Sequence, residues 1–258
     1  SLLRTDSVHG YFHGVCYPLW EENAMMINGQ KVVFIEAKNP EDVDYESFGI
    51  KDALVIDNTG VFRDREALSR HLQAKGVAKV LLTAPGKGDI PNVVYGVNQN
   101  DLDLKNEKVF SAASCTTNAI VPGLEVMMNN FGIVKGHIET IHSYTNDQNL
   151  LDNYHKKERR GRSAAMNMVI TETGAGSAAA KALPELKGKL TSNAVRVPTP
   201  DVSLAVLALD VERETTVEEV NQAFRSASLK GNLIEQIRYS KSTEFVSSDG
   251  IGDSCACI

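Results

Sequence analysis

The chain of 258 residues is 42% hydrophobic, enough to bury the core of one large domain or of two ordinary ones. Lys and Arg number 27 against 33 Asp and Glu, a net charge of −6, so bulk charge gives no reason to expect nucleic acid or another polyanion as partner. The longest apolar runs, such as residues 202–211, fall well short of the ~20 residues that span a bilayer, and no secretory signal is readable at the first residues.

No membrane partner is therefore expected, and the expected location is cytoplasmic. The four cysteines, Cys16, Cys115, Cys255 and Cys257, are too few and too unevenly spread for a disulfide framework, so reduced thiols are expected. No metal site is expected. The chain opens without Met on SLLRTDSVHG and stops at SCACI, which reads as mid-strand, so a fragment lacking both termini is expected.

In chain order, KVVFIEA (31–37) and DALVIDNTG (52–60) are short β-branched apolar runs that predict strands. Residues 62–76 predict a helix, with Phe62, Leu68 and Leu72 recurring near helical spacing and Gly76 at the stop. Three further strands are predicted at 78–86, 92–97 and 107–114. Apolar strands alternating with a helix argue for an open α/β sheet.

From Thr116 onward, Ile120, Leu124, Met127, Met128 and Phe131 predict a helix closed by Gly132, with Pro122 early enough to sit in its first turns. Residues 132–145 predict a strand that places Ile138, Thr140 and His142 on one face. A strand at 202–211 and a helix at 216–228 follow, and the later sheet reads as mainly antiparallel. A domain boundary is expected beside Cys115, giving units 1–114 and 115–258.

SAASCTTNAIVPG (111–123) puts Cys115 at the start of the long predicted helix. Unpaired N–H groups and the positive end of the helix dipole stabilise a thiolate there, and Ser114, Thr116 and Thr117 add hydroxyls. A small apolar filler at a tight strand-to-helix turn explains a cysteine equally well, and composition alone favours it. His142, ending the next predicted strand, shifts the balance, because adjacent strand ends of one sheet bring a base within reach of a thiol.

Three further segments suggest anion sites. TETGAGSAAAK (171–181) offers Thr173 and Gly174 at a helix start. Its Gly174, Gly176 and Ala179 fit a loose G-x-G-x-x-A pattern but lack the strand–helix–strand setting of a dinucleotide fingerprint. RVPTPDVS (196–203) places Arg196 on a rigid segment, and KKERRGR (156–162) reads as a solvated or interface loop.

Taken together, SAASCTTNAIVP, HSYTNDQ, RRGRSA, TETGAG, LPELKGKL, RVPTPDVS and VSSD, with DSVHG, DNTGVF and LTAPGKG upstream, resemble the phosphorylating glyceraldehyde-3-phosphate dehydrogenases of bacterial type. The resemblance runs along essentially the whole chain. It implies an α/β protein, with a partial Rossmann-like dinucleotide-binding domain followed by an α+β catalytic domain.

Carried over by residue, the resemblance implies Cys115 as the nucleophile and His142 as its base. It implies Ser114, Thr116, Thr173 and Gly174 around the attacking inorganic phosphate, and Thr145 and Arg196 around the substrate phosphate. Cofactor contacts, to NAD or NADP, are implied near Lys38, Thr59, Gly60, Phe62 and Thr83. Glyceraldehyde 3-phosphate is the implied substrate and a homotetramer the implied assembly, with residues 144–166 at subunit and cofactor contacts.

The family's glycine fingerprint and ribose-binding acid would precede DSVHG, its closing N-E-F-G-Y segment would follow the last residue, and Ser177 stands where Lys is common. Erythrose-4-phosphate dehydrogenase, or a thiol acyltransferase or hydrolase without redox chemistry, are the alternatives.

Overall fold

The computed structural model describes residues 2–258. Two short strands, β1 (Thr5–Asp6) and β2 (Gly10–Tyr11), pair first. β3 (Cys16–Leu19), β4 (Ala24–Ile27) and β5 (Gln30–Val33) then form an antiparallel three-stranded sheet. Asn28 and Gly29 join β4 to β5 with φ of 48° and 83°, the two left-handed residues of a tight hairpin turn. The strand expected over 31–37 therefore belongs to this hairpin sheet and stops at Val33. Beyond it, the Phe34 N–H and C=O are taken by the Asn23 carbonyl and side chain.

β6 (Ala53–Asp57), β7 (Val77–Leu82) and β8 (Val109–Ser111) form a parallel sheet in that order. Between β6 and β7 the expected helix is shorter than its apolar pattern. Asp64 caps α1 (Arg65–Ser69) by accepting from the Ala67 N–H, and a 3-10 turn, Arg70–Gln73, follows. The Ser69 hydroxyl donates to the Arg65 carbonyl at the point where the coil tightens.

No strand forms at 92–97, only a single bridge from Asn92 to Ser111. Asn98 explains this locally: its side chain accepts from the Val94 N–H and donates to the Asn92 carbonyl, diverting both from a ladder. Leu68, Val80, Leu82, Ile90 and Val109 make the core of this half, with Phe62 and Leu72 packed against it.

α2 (Cys115–Phe131) follows β8 directly and ends at Gly132, φ 68°. Pro122 is its eighth residue, past the first turns, so the Asn118 carbonyl receives no backbone N–H at i+4. β9 (Lys135–Ser143), β10 (Val169–Thr171), α3 (Ala175–Ala182), β11 (Leu190–Val197), β12 (Leu204–Asp210) and α4 (Val217–Ala227) complete the fold.

The sheet order is β10-β11-β9-β12, with β9 and β11 parallel and the two outer pairings antiparallel. One face packs on the helices: Ile120, Val121, Leu124 and Met127 of α2 meet Ile138, Ala179 and Leu186, with Leu207 and Phe224 at the margin. The chain's last residues form no strand; a single bridge links Ile237 to Cys257.

Leu124 is fully buried at the centre of this core. Leu124→Ala is expected to lower unfolding free energy by about 2–5 kcal/mol, read from the midpoint of urea denaturation.

Candidate active site

Ser111 ends β8 by turning its hydroxyl inward, donating to the Ala84 carbonyl and accepting from the Ala113 N–H. Ala113 then takes φ 61°, a left-handed conformation costly for a residue with a Cβ, and the chain reverses into α2. Ser114 is the N-cap, accepting from the Thr117 N–H at 3.0 Å, with its hydroxyl 2.7 Å from that of Thr117. Asn118 donates to the Ala112 and Ser114 carbonyls and so pins the turn from inside the helix. Cys115 is thereby the first residue of a 17-residue helix, exposed, beside N–H groups with no partner in the helix.

His142 meets it from another sheet. Nε2 lies 3.7 Å from Cys115 Sγ, while Nδ1 lies 2.7 Å from the Ser143 carbonyl oxygen and 3.1 Å from Arg196 Nη1, so Nε2 is the ring nitrogen that faces the thiol. Neighbouring strand ends of one sheet, the expected route to this pair, are not how it forms. Cys115 follows β8 of the parallel sheet, and His142 sits on β9 of the mixed sheet on which α2 packs. The His142 hydrogen bond lowers the thiol pKa to about 7 against the opposing effect of burial, assisted by the charge of His142 and by the Thr116 hydroxyl and N–H.

The parallel register of β9 and β11 sets Arg196 directly opposite His142. Its Nη1 donates to the Ser143 carbonyl at 3.1 Å and to the Thr145 hydroxyl at 3.2 Å. Thr145 in turn donates to Asp147, which pairs with Arg160. The Thr145 proton is thus spent on Asp147, and the donors open to an anion here are guanidinium N–H groups. Burial pushes the Asp147 carboxyl up, but the Thr145 hydroxyl and the Arg160 and Arg196 charges hold it below its ordinary value. Burial, with the Arg160 charge nearby, lowers Arg196 from its ordinary value.

Residues 156–159 and 162 are exposed, as expected of a solvated or interface loop, but Arg160 and Gly161 are not. The Arg160 side chain is buried, reaching Asp147 and, at 2.8 Å, the Thr171 hydroxyl. Gly161 makes this possible, since a Cβ there would lie 2.4 Å from the Asn153 carbonyl oxygen. Arg160 Nε and Arg196 Nε are both buried without a partner. Two guanidiniums close enough to repel, each with an unpaired N–H, are what an anion would satisfy. Sequence pattern gave Arg160 and Asp147 no role, although Arg160 lies in the KKERRGR run and Asp147 in HSYTNDQ.

Thr173 and Gly174 lie at the start of α3, where the Thr173 hydroxyl accepts from the Ala175 N–H and Ser177 Oγ donates to the Gly174 carbonyl. β10, leading to this helix, is antiparallel to β11, so the glycine pattern here is not a strand–helix–strand dinucleotide fold. No hydrogen bond joins Thr173 or Gly174 to Cys115 or His142 among the described residues.

Thr59, Gly60 and Thr83 follow the carboxyl ends of β6 and β7, the edge that also leads from β8 to Cys115. Phe62 packs beneath that edge, against the buried cluster and edge-on to His71. Lys38 lies outside it, on the exposed stretch after β5.

The chain is thus an α/β protein in which an exposed thiol heads a helix, faces a histidine ring nitrogen and follows the carboxyl edge of a parallel sheet. Residues 114–258 match the sequence model described as glyceraldehyde 3-phosphate dehydrogenase, C-terminal domain, and residues 1–65 match that of the NAD binding domain. The chain belongs to the glyceraldehyde-3-phosphate dehydrogenase family.

It is 54% identical, over all 258 residues, to a "glyceraldehyde-3-phosphate dehydrogenase-like protein" of Pseudomonas aeruginosa, of which those residues are 56%. It is 48% identical over 227 residues, 88% of this chain, to the chloroplastic glyceraldehyde-3-phosphate dehydrogenase A of Zea mays, covering 55% of that protein. Identity to the Geobacillus stearothermophilus glyceraldehyde-3-phosphate dehydrogenase is 43% over 240 residues, 93% of this chain and 70% of that protein. The chain thus spans little more than half the length of the first two relatives.

With the thiol titrating at about 7, alkylation of Cys115 by iodoacetamide is expected to rise through a midpoint near that pH. In His142→Asn the midpoint is expected to move up toward that of an ordinary thiol, measured as alkylation rate against pH by mass spectrometry.

Proposed function

We propose that this chain is the larger part of a phosphorylating glyceraldehyde-3-phosphate dehydrogenase, and that Cys115 and His142 perform its chemistry. The single observation that supports this most is the exposed Cys115 thiol with lowered pKa, held 3.7 Å from His142 Nε2. His142 Nε2 takes the thiol proton, and the thiolate attacks the aldehyde carbon. The C–S bond forms, the carbonyl π pair moves to oxygen, and that oxygen takes the proton back from the imidazolium to give a thiohemiacetal.

His142 then accepts the hydroxyl proton as the C–H pair departs as hydride, leaving a thioester on Cys115. Nicotinamide, when bound, supplies the acceptor for that hydride. A phosphate oxygen attacks the thioester carbon, the C–S bond breaks, and the Cys115 thiolate leaves with its electron pair as the acyl phosphate, 1,3-bisphosphoglycerate, is released.

The residues at the sheet edge fit a dinucleotide. The Thr59 and Thr83 hydroxyls both donate toward Asp57, to its Oδ1 and its backbone carbonyl, so each turns lone pairs outward. Such acceptors suit ribose hydroxyls or a carboxamide N–H, and Gly60, with φ 74°, allows the turn that presents them. NAD or NADP is the proposed cofactor. Arg196, with Arg160 behind it, is proposed to hold the substrate phosphate, and Ser114, Thr116, Thr173 and Gly174 the attacking phosphate, with Thr145 orienting Arg196.

A homotetramer in the cytoplasm is proposed as the working form. The four free cysteines suit a reducing compartment, and the exposed Leu150, Leu151, Tyr154 and Met166 suit burial at a subunit contact.

In the full-length protein, Cys115→Ser is expected to cut cofactor reduction with glyceraldehyde 3-phosphate and inorganic phosphate by at least about a thousandfold. Retained turnover would refute the assignment. Faster turnover on erythrose 4-phosphate would move the substrate by one carbon, and thioester hydrolysis with no change in nicotinamide absorbance would point to a non-redox thiol enzyme. Arg196→Ala is expected to lower kcat/KM for glyceraldehyde 3-phosphate by about a hundredfold while leaving unphosphorylated glyceraldehyde little affected, since only the former presents an anion to the guanidinium.

A further inference from the structure

The Asp57 side chain is fully buried at the end of β6, yet no step of the proposed chemistry uses it. Its Oδ1 accepts from both the N–H of Thr59, at 2.9 Å, and the Thr59 hydroxyl, at 2.8 Å. Its Oδ2 accepts from His71 Nε2 at 2.9 Å. Its backbone carbonyl accepts from the Thr83 N–H at 3.0 Å and the Thr83 hydroxyl at 3.2 Å. The ring of His71 meets Phe62 edge-on, with centroids 5.7 Å apart. Asp57 and His71 therefore contact Thr59, Thr83 and Phe62, three of the five residues named as cofactor contacts.

The Asp57 carboxyl is pushed up by burial, but the Thr59 N–H, His71 and the Thr59 hydroxyl outweigh this and hold it below its ordinary value, so it is a carboxylate at neutral pH and His71 is the donor of their bond. Neither the carboxylate that Thr59 meets nor the backbone carbonyl that Thr83 meets has a proton to give. Both threonine hydroxyls must therefore donate inward and expose acceptor lone pairs. Thr59 Oγ1 spends one of these on the Val61 N–H, at 3.2 Å, and keeps one free.

We propose that Asp57 and His71 are a positioning pair for the dinucleotide, fixing Thr59 and Thr83 as outward-facing acceptors for the hydroxyl or amide donors of the cofactor. This rests on the dinucleotide reading above and assigns the pair no contact with the cofactor itself. Asp57→Asn places an amide N–H2 where one carboxylate oxygen stood, so it loses the pair of Thr59 bonds, or it loses the His71 bond unless that ring turns to the tautomer with Nε2 as acceptor, and in every case it removes the charge that holds these donors. His71→Gln keeps a donor but removes the ring that backs Phe62.

The test uses the full-length protein with NAD⁺ and NADP⁺ as probes, following binding by equilibrium dialysis and, in parallel, the rate of Cys115 alkylation without cofactor. Each variant is expected to raise the Kd of the preferred dinucleotide about tenfold, the scale set by one hydrogen bond to a charged group, with alkylation within about twofold of the unsubstituted protein. The dinucleotide KM is expected to rise by a larger factor than kcat falls. An unchanged Kd in both variants would overturn the proposal, as would a matching loss of alkylation, which marks general loosening. If Asp57→Asn does not fold, His71→Gln decides alone. An unsubstituted protein that binds neither dinucleotide refutes the cofactor reading instead, a result separable from the behaviour of the variants.

Discussion

Every reactive feature of the site depends on the turn between β8 and α2. Ala113 accepts a left-handed backbone, Ser114 closes the helix start, and Asn118 ties the turn back to the Ala112 and Ser114 carbonyls. The strain at Ala113 is held by the Ser111 hydroxyl and by burial in the shared core. Without that reversal Cys115 would stay in the line of β8; with it, the thiol stands over the end of the helix and toward the mixed sheet. The same core cluster contains Val94 and Ala113 from the first half and Ile138 from the second, so the turn that carries Cys115 and the strand that carries His142 are joined by apolar packing.

A second layer of order is electrostatic. Arg196 and Arg160 share one environment, offset by Asp147 and, for Arg196, by the charge of the Cys115 thiolate, and each has a buried Nε–H without a partner. An arrangement with two cations, one carboxylate and unmet donors is unfavourable when empty and favourable when an anion arrives, because buried donors left unpaired cost more than paired ones return. Affinity for an anion is then stored in the fold before the anion binds. On the other side of Cys115 the logic reverses: the buried Asp57 takes all the nearby protons and leaves an edge of acceptors.

How much of this the sequence shows varies by scale. The parallel sheet, the long helix from Cys115, strands β9 and β12 and helix α4 follow from periodicity, since apolar spacing is read the same way by the folding chain, whereas β10, β11 and the parallel pairing of β9 with β11 do not. The Asn28-Gly29 hairpin was also legible, as a two-residue turn signal between apolar runs, although the run after it suggests a core strand instead. Residues 92–97 mislead because their apolar pattern is that of a strand, while Asn98, outside the pattern, captures the backbone groups a ladder would need.

The motif around Cys115 marks a helix start from sequence alone, but Arg160 looks like one charge in a basic run. Its burial depends on Gly161, Asp147 and Thr171 meeting in space, a relation that no local spacing encodes.

The parallel register of β9 and β11 has a different kind of consequence. His142 and Arg196 are partners in a hydrogen-bonded ladder, so the distance between base and cation is fixed by sheet geometry and not by the chain that connects them. Residues 144–168, running between β9 and β10, are released from that duty. Substitutions, and even changes of length toward the tip of that excursion, leave the spacing of the reacting groups intact. Apart from Thr145, Asp147, Arg160 and Gly161, which support Arg196, the excursion is therefore free to diversify without moving His142 against Arg196.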